Sequence, residues 1–292
     1  MHAWGIKNAR AVVRSRVHRK ILGVIPARYA STRFPGKSLA KIDSRTMLEH
    51  VYERASMARY LGPIVIATDD ERISDAARAF GARVKMTRAD HVSGTDRVAE
   101  VASAFEDVDL VVNVQGDEPL IDPNAIDAAI LPLLEEPAIP MGTLKKKIED
   151  PGEVADPNVV KVVTDRFENA IYFSRSTIPH SAGVCYKHLG LYVYRRNFLL
   201  KYSDLPVGPL ERAERLEQLR ALENGFKIRV VETDYESLGV DTPGDLERVK
   251  ELIRTAQASV LKGDDDTSIP TRNRIIPSRD RKGAVLQKVV NG

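Results

Sequence analysis

Cysteine and long apolar runs are what this sequence has least of. Cys185 is the single cysteine among 292 residues, so the chain cannot form an internal disulfide or a multi-cysteine zinc site. A reducing compartment is therefore the expected location. No apolar run approaches the ~18–20 residues of a membrane helix, which argues against a membrane-spanning protein. With 43% hydrophobic residues, the chain can build one large domain or two modest ones.

Acidic residues are missing from one end of the chain. Residues 1–20 hold six lysines and arginines and no acid, whereas residues 21–261 hold 31 of the 44 bases and 37 of the 41 acids. The middle therefore has a net charge of −6, and the basic body of a nucleic-acid-binding domain is absent. We expect residues 1–20 to be a solvated basic extension or the product of an early start codon. Their lack of acids also suits a transit peptide, which their single serine fits poorly. Residues 263–292 have no sustained period and predict a disordered tail.

Over residues 21–262, short apolar runs alternate with stretches of helical periodicity. Uninterrupted apolar runs are typical of strands buried on both faces of a parallel sheet. The pattern predicts an α/β domain with a mixed, mainly parallel sheet and helices on both faces. The predicted strands are 21–25, 64–67, 83–86, 110–114, 159–163, 170–173, 189–194 and 228–231. The predicted helices are 47–58, one that ends near Phe80 and is capped by Thr68 or Asp69, 93–104, 210–223 and 242–253.

The loop after the first predicted strand is rich in groups that bind phosphate. Residues 26–38 carry three cations, Arg28, Arg33 and Lys37, together with hydroxyl groups and Gly36. Backbone N–H groups and basic side chains on such a loop bind phosphate groups. The P-loop of kinases and ATPases needs a glycine five residues before Gly36, where this chain has Ser31, so the pattern argues against a P-loop. A solvated basic turn is the alternative.

Two acidic residues follow predicted strands, where open α/β sheets bind their ligands. Asp117 comes after the strand at 110–114, and Asp241 stands at a strand–helix junction. A carboxylate that faces a polyphosphate loop is a natural Mg²⁺ ligand, and a helix cap is the alternative for each residue. Asp69 and Asp70 also follow a strand, but two adjacent acids before a helix more often act as cap and dipole partner.

Other polar residues also have ordinary structural alternatives. Ser93 and Gly94 could hold a nucleotide or merely cap a helix, and His188 could bind a substrate or be an edge histidine. His188 has no His or Cys partner at metal-ligand spacing. Cys185 has no evident base and is interpreted as a buried structural thiol. The three lysines at 145–147 are interpreted as a solvated face rather than a nucleic-acid patch.

Eight sequence strings follow one another in a specific order across residues 21–255. They are IPARYASTR with PGK at 25–37, MTRADH at 86–91, SGT at 93–95, NVQGDEP at 113–119, FSR at 173–175, HLG at 188–190, LEQLR at 216–220 and GVDTP at 239–243. The first string alone resembles sugar nucleotidyltransferases in general. The ordered set closely resembles the 3-deoxy-manno-octulosonate (KDO) cytidylyltransferases, also called CMP-KDO synthetases.

The resemblance implies a nucleotide-diphospho-sugar transferase-like (Rossmann-like) fold and the Mg²⁺-dependent reaction CTP + KDO → CMP-KDO + pyrophosphate, which supplies lipopolysaccharide biosynthesis. It implies that four residues are catalytic, the last two of them as metal ligands: Arg28, Lys37, Asp117 and Asp241. The nucleotide-binding residues that it implies are Ala27, Arg28, Lys37, Arg88, Ser93, Gly94 and Asp117. The sugar-binding residues that it implies are Arg33, Gln115, Arg175, His188, Tyr192, Glu217 and Gln218.

The resemblance also implies a cytoplasmic homodimer built partly from residues 160–225, with neither a nucleic-acid nor a membrane partner. Two other interpretations stay open. The same fold could act on another acidic sugar, such as 8-amino-KDO or sialic acid. A nucleotide-binding protein without catalytic activity is the second alternative, and the presence of both predicted metal ligands and Lys37 argues against it.

Overall fold

The computed structural model describes residues 21–30, 33–181 and 183–262, with side chains described as far as residue 255. The predicted basic extension at 1–20, the predicted tail at 263–292, and residues 31, 32 and 182 lie outside the described residues. Within the described part of the chain, no helix is both long enough and apolar enough to cross a membrane.

The strands follow the predicted apolar runs, with three additions, two of which are the short strands at 41–42 and 45–46. Residues 141–147 form a strand that the sequence analysis did not predict. In chain order the strands are β1 (Ile21–Ala27), β2 (Lys41–Ile42), β3 (Arg45–Thr46), β4 (Ile64–Thr68), β5 (Arg83–Met86), β6 (Leu110–Asn113), β7 (Met141–Lys147), β8 (Lys161–Thr164), β9 (Ala170–Ser174), β10 (Tyr186–Arg195) and β11 (Ile228–Glu232).

A mixed sheet forms the centre of the structure, with the strand order β11-β7-β10-β6-β1-β4-β5. β1 is parallel to both β4 and β6, β4 is parallel to β5, and β11 is parallel to β7. β10 runs antiparallel between β6 and β7. It also pairs with β8, which forms an antiparallel hairpin with β9. β2 and β3 form a small separate sheet. The prediction of a mixed, mainly parallel sheet is confirmed.

The helices cover both faces of this sheet. Alternate residues of β1 point to opposite sides: Ile21 and Ile25 belong to one apolar core, and Leu22 and Val24 belong to the other. The helices are α1 (Met47–Ser56), α2 (Glu71–Ala79), α3 (Gly94–Ser103), α4 (Pro123–Glu135), α5 (Pro151–Ala155), α6 (Arg196–Tyr202), α7 (Pro209–Glu214), α8 (Leu219–Glu223) and α9 (Pro243–Lys262). α1, α2 and α4 pack on the first core, and α3 and α6 pack on the second.

The prediction that Thr68 or Asp69 caps α2 is wrong, because Asp70 is the cap. The Asp70 carboxylate accepts a hydrogen bond from the backbone N–H of Arg72. Thr68 ends β4, and its hydroxyl accepts from the N–H of Asp70 instead. Asp69 turns inward and pairs with the fully buried Arg97 at 3.1 Å.

The predicted continuous helix at 210–223 is broken in the structure. Arg215 adopts a left-handed backbone conformation, with φ 55°, and ends α7, while α8 begins at Leu219. Tertiary contacts explain the break: the Tyr202 hydroxyl donates to the carbonyl oxygen of Glu217 at 2.7 Å, and Leu216 and Gln218 are buried. These contacts override the helical periodicity of the segment.

The interpretation of residues 145–147 as a solvated face is wrong for two of the three lysines. They lie on β7, between β10 and β11. Lys145 is 3% exposed and pairs with Glu168, and the half-buried Lys146 pairs with Glu236. The alternation of side chains along β7 therefore buries Lys145, whose charge is paired with the carboxylate of Glu168. Of the three lysines, Lys147 alone is exposed.

Candidate active site

The predicted phosphate loop and the loop that carries Asp117 meet at the carboxyl edge of two adjacent parallel strands. β1 and β6 pair in parallel, so the loops that follow them begin side by side. Gly116 allows their close approach, because a Cβ atom there would lie 2.7 Å from the carbonyl oxygen of Pro26. A side chain at position 116 would force the loops apart. The glycine therefore lets Asp117 approach the loop that leads to Lys37.

Lys37 lies between the two predicted metal ligands. Its Nζ is 2.7 Å from Oδ2 of Asp117, 3.0 Å from Oδ1 of Asp241 and 2.9 Å from the carbonyl oxygen of Val240. These contacts match the three N–H donors of an ammonium group. Burial by itself would lower the pKa of Lys37, but the charge of Asp117 and the hydrogen bonds to both carboxylates outweigh it and raise the pKa. The Lys37 side chain is therefore held as a cation.

Local backbone geometry brings Lys37 into this position. Gly36 has φ 68°, a left-handed conformation that favours glycine, and its N–H donates to the carbonyl oxygen of Tyr29. Lys37 then begins a short 3-10 turn at Lys37–Leu39. On the other side, the N–H of Val240 donates to the carbonyl oxygen of Asp117 at 2.9 Å. This bond ties the segment that precedes α9 to the loop after β6.

Two carboxylates that converge on one cation have the chemistry of a magnesium site. Asp117 and Asp241 each place an oxygen within 3.0 Å of the Lys37 ammonium, so their oxygens also fit a shared divalent cation. Among the described residues, no group of three or more His, Cys, Asp or Glu side chains could hold a metal. Mg²⁺ is commonly held by one or two carboxylates together with water and substrate phosphates, which suits this pair.

Three of the predicted nucleotide residues, Arg28, Ser93 and Gly94, lie at the start of α3. The Arg28 guanidinium donates to the carbonyl oxygens of His91, at 2.7 Å, and Ser93, at 3.2 Å. Ser93 is the N-cap of α3 and forms a capping box with Asp96, and Gly94 is the first residue of the helix. Ser93 therefore caps α3, and Arg28 fixes the loop that precedes it. Ala27 is the last residue of β1 and is buried.

A cleft of about 710 Å³ opens beside this helix start. Arg88, Ser93, Leu200 and Arg220 are among the residues that line it. The Arg88 side chain is 69% exposed and makes an ion pair with Asp90 at 3.2 Å. Arg88 therefore keeps most of its guanidinium in solvent, where a ligand can reach it.

Three predicted sugar residues come together around β10. The Gln115 amide donates from Nε2 to the carbonyl oxygen of Gly190 at 2.8 Å, which joins the loop after β6 to β10. The rings of His188 and Tyr192, both on β10, have centroids 5.4 Å apart. Phe173, on β9, packs edge-on against His188 at 5.0 Å. Burial lowers the pKa of His188 to about 3, so its ring is neutral at ordinary pH.

The break between α7 and α8 places Glu217 beside the nucleotide residues. The Ser93 hydroxyl donates to Oε1 of Glu217 at 3.4 Å, although the two residues are 124 positions apart. Burial raises the pKa of the half-buried Glu217. Gln218 is 4% exposed. The segment between the two short helices thus connects the predicted sugar residues with the start of α3.

Two predicted sugar residues have other partners in this structure. Arg33 places Nη2 2.9 Å from Oδ2 of Asp241, so it joins the cluster around Lys37. The Arg175 guanidinium donates to the carbonyl oxygens of Glu214, at 2.9 Å, and Pro157, at 3.0 Å. Arg175 therefore joins the end of α7 to the segment between α5 and β8.

Sequence reasoning missed three residues that support the site. Arg97, on α3, is fully buried against Asp69. Burial raises the pKa of Glu118 to about 7, and the Tyr235 hydroxyl donates to this carboxyl group directly behind Asp117. Thr143, on the unpredicted β7, contacts His188. The NVQGDEP string was a signal for Glu118, whereas Thr143 carried no local signal.

Comparison with known proteins identifies the family of this chain. The family model described as Cytidylyltransferase matches residues 22–228. A 3-deoxy-manno-octulosonate cytidylyltransferase of Solibacter usitatus is 70% identical over 250 residues, which cover 84% of this chain and 98% of that protein. The protein of the same name from Geobacter metallireducens is 55% identical over 253 residues, which cover 82% of this chain and 99% of that protein.

Solved structures agree on the fold. CMP:2-keto-3-deoxy-manno-octonic acid synthetase complexed with CTP is 44% identical with a TM-score of 0.78, and the match covers 81% of this chain and 99% of that one. The 4-diphosphocytidyl-2C-methyl-D-erythritol synthase of Anaerococcus prevotii, 14% identical with a TM-score of 0.56, shares the fold alone over 81% of this chain and 99% of its own. The predicted nucleotide-diphospho-sugar transferase fold is confirmed. The chain belongs to the cytidylyltransferase family and, within it, to the 3-deoxy-manno-octulosonate cytidylyltransferases.

Proposed function

We propose that this chain transfers CMP from CTP to KDO, giving CMP-KDO and pyrophosphate for lipopolysaccharide biosynthesis. The observation that carries the proposal is the contact of the Lys37 ammonium with both Asp117 and Asp241 at the carboxyl edge of the sheet. This arrangement puts a fixed cation and two convergent carboxylates where a nucleoside triphosphate binds in an α/β sheet. The sequence identity to proteins that carry this activity selects CTP and KDO as the substrates.

In this proposal, the chain's own residues position the substrates and stabilise charge. Arg28 and Lys37 bind the phosphates, and Arg88 lies by the nucleotide with Ala27, Ser93 and Gly94. The anomeric hydroxyl of KDO attacks the α-phosphorus, the bond to the β-phosphate oxygen breaks, and pyrophosphate leaves. Positive groups held in place before the reaction stabilise the charge that develops on the phosphate oxygens.

Asp117 and Asp241 would hold Mg²⁺ in the same proposal. A bound Mg²⁺ would supply positive charge to the phosphates and lower the pKa of the attacking hydroxyl. Lys37 would then exchange its carboxylate partners for phosphate oxygens. The convergence of both carboxylates within 3.0 Å of one ammonium supports this assignment.

The sugar pocket is formed by residues from three parts of the chain. Gln115, His188 and Tyr192 are joined through β10, and Glu217 reaches Ser93. Arg175 is well suited to pair the sugar carboxylate, since a guanidinium binds carboxylates in a bidentate manner. Its bonds to Glu214 and Pro157 use two of the five guanidinium N–H groups, which leaves three to donate. Arg33 and Gln218 complete the proposed pocket.

The chain acts as a cytoplasmic homodimer in this proposal, as one domain over residues 21–262 with residues 160–225 contributing to the interface. Phe167 and Ile171, on the β8–β9 hairpin, are 60% and 59% exposed, which supports an interface there. Light scattering on Ile171→Lys is expected to give a smaller mass than on wild type. Met57→Lys, at an apolar residue that is 67% exposed outside this region, is the control. An unchanged mass for Ile171→Lys would contradict the assignment.

Pyrophosphate release from the purified chain tests the reaction. The assay supplies Mg²⁺, each of the four nucleoside triphosphates in turn, and KDO, 8-amino-KDO or sialic acid. Release with CTP and KDO is the expected result. Release with CTP and another sugar would keep the fold and the chemistry and replace KDO. No release under any pairing, with the protein folded, would favour a nucleotide-binding protein without catalysis.

A further inference from the structure

The pairing of β10 with β7 is interrupted next to the proposed sugar pocket. Leu189 pairs with Leu144, and Val193 pairs with Gly142. Residues 190–192 therefore stand opposite a single residue of β7, Thr143. Such bulges turn side chains away from their regular directions and occur often near active sites.

The bulge explains why two side chains of β10 meet. Residues four positions apart on a regular strand are separated by about 13 Å. The rings of His188 and Tyr192 nevertheless have centroids 5.4 Å apart. Phe173 packs against the His188 ring at 5.0 Å and restricts its rotation further. The His188 ring is therefore held by two aromatic neighbours, and its hydrogen-bond direction depends on which nitrogen carries the proton.

The Thr143 hydroxyl determines which ring nitrogen of His188 carries the proton. Thr143 is fully buried, and its Oγ1 lies 2.8 Å from the carbonyl oxygen of Leu191, 3.1 Å from that of Leu189 and 2.9 Å from Nε2 of His188. Both carbonyl oxygens can only accept, whereas the hydroxyl has one hydrogen to donate. If that hydrogen pointed at His188, the lone pairs of Oγ1 would face the lone pairs of both carbonyl oxygens, and these atoms would repel one another. The hydrogen therefore goes to a carbonyl, and Oγ1 must accept from His188.

It follows that His188 carries its proton on Nε2 and leaves Nδ1 as an acceptor. Among the described residues, Nδ1 has no hydrogen-bond partner. It is also not one of the fully buried side-chain atoms without a partner, so Nδ1 is not sealed inside the core. Nδ1 is therefore accessible to a ligand. The low pKa of His188 keeps this lone pair unprotonated at ordinary pH.

We propose that Thr143 is a positioning residue that fixes His188 in its Nε2–H form, so that Nδ1 accepts a hydrogen bond from a hydroxyl group of the sugar substrate. The identity of that sugar rests on the proposed function, whereas the form of His188 does not. Thr143 acts through His188 and does not itself touch substrate.

A long-range ¹H–¹⁵N correlation spectrum of the full chain labelled with ¹⁵N-histidine tests the first half of the proposal. Loss of one spin system in His188→Gln assigns His188 among the six histidines of the chain. The expected pattern is that of the Nε2–H form, without titration between pH 6 and 8. A pattern of the Nδ1–H form, or of a ring protonated in this range, would overturn the proposal.

Steady-state kinetics of two Thr143 variants test the second half. Thr143→Val keeps the shape and removes the hydroxyl, and is expected to raise the KM for KDO by roughly three- to tenfold, the effect of one neutral hydrogen bond, while the KM for CTP changes less than twofold. Thr143→Ser retains the hydroxyl and is expected to restore both the KM and the Nε2–H spectrum. Equal effects of Val and Ser, or equal changes in both KM values, would overturn the proposal.

The two experiments separate this proposal from the proposed function. If the wild-type spectrum shows the Nε2–H form but no pyrophosphate is released with KDO, the substrate assignment is wrong. The assignment of the His188 proton to Nε2 is then still supported. If KDO is turned over but the spectrum shows the Nδ1–H form, the role of Thr143 fails and the proposed function stands. Should Thr143→Val unfold, the wild-type spectrum and Thr143→Ser still decide the case.

Discussion

Replacing Asp117 by Asn separates the chemistry of the site from its stability. Asn keeps an oxygen that can accept from Nζ of Lys37 but loses the negative charge. A hydrogen bond to a charged group contributes about 1.5–3 kcal/mol and a neutral one about 0.5–1.5 kcal/mol, so the loss is about 1 kcal/mol. Relief of the repulsion between Asp117 and Asp241, which lie on the same ammonium, offsets part of it. We expect the melting temperature to fall by no more than about 4 °C.

The activity of Asp117→Asn is expected to change far more. Loss of one of the two proposed Mg²⁺ ligands removes several kcal/mol of transition-state stabilisation, so turnover should fall by ~10³-fold. Pyrophosphate release with saturating CTP, KDO and Mg²⁺ measures the rate, and calorimetry measures the melting temperature. Asp75→Asn is the matched control, because Asp75 is 77% exposed on α2 and lies 3.9 Å from Arg78.

Two results would refute this reasoning. Turnover of Asp117→Asn within tenfold of wild type would show that the reaction does not need this carboxylate. A melting temperature lowered by more than about 10 °C would show that the Lys37–Asp117 contact is mainly structural, since it exceeds what the loss of one charge predicts. An effect of Asp75→Asn on turnover would show that the assay does not report on the site.

Three further perturbations follow from the same geometry. Arg175→Ala is expected to raise the KM for KDO about tenfold or more while the KM for CTP changes less than twofold, because the sugar carries the carboxylate; steady-state kinetics measure both. Gly116→Ala is expected to lower the free energy of unfolding in urea by about 1–3 kcal/mol and also to reduce turnover, because its Cβ would lie 2.7 Å from the carbonyl oxygen of Pro26. Between pH 6.5 and 5, wild type is expected to lose about 1.6 kcal/mol more unfolding free energy than His188→Gln. The unfolded histidine binds a proton below its usual pKa of 6.5, whereas burial holds the folded pKa near 3.

Each of these expectations has a contrary outcome. Equal changes in the two KM values of Arg175→Ala would indicate that Arg175 acts through its bonds to Glu214 and Pro157. Gly94→Ala, whose Cβ would meet Pro26 at an ordinary 3.9 Å, is the control for Gly116→Ala, and equal losses of stability would contradict the contact argument. Parallel pH dependences of wild type and His188→Gln would show that the folded histidine titrates normally.

Local patterns in the sequence were sufficient to predict the central strands and the chemistry-bearing loops. The uninterrupted apolar runs of β1, β4 and β6 are visible because a strand buried on both faces has no polar positions. Asp117 was identified because it directly follows such a strand. The phosphate-binding role of the cations in the loop after β1 was predicted from the composition of about a dozen residues, because such a loop is built from neighbours in sequence.

The contacts between distant segments were decided by the tertiary structure. The predicted helix at 210–223 is divided because Tyr202 holds Glu217 and because Leu216 and Gln218 are buried, and helical periodicity carries no information about these contacts. β7, with its lysines matched to carboxylates from other segments, did not have the apolar run of a buried strand.

Composition and spacing indicated Lys37 as a phosphate-binding cation and, separately, Asp241 as a candidate metal ligand. The resemblance to the known family implied that both belong to one site. The contact of Nζ of Lys37 with Oδ1 of Asp241 spans 204 positions in the chain and depends on the strand order and on the close approach at Gly116. The position of Thr143 under His188 depends in turn on a bulge in the β7–β10 pairing. Periodicity and turn chemistry are properties of near neighbours, so the sequence by itself determined the central strands and the loops that carry the reactive residues. Packing and strand register, which join residues far apart in the chain, determined which of those residues touch.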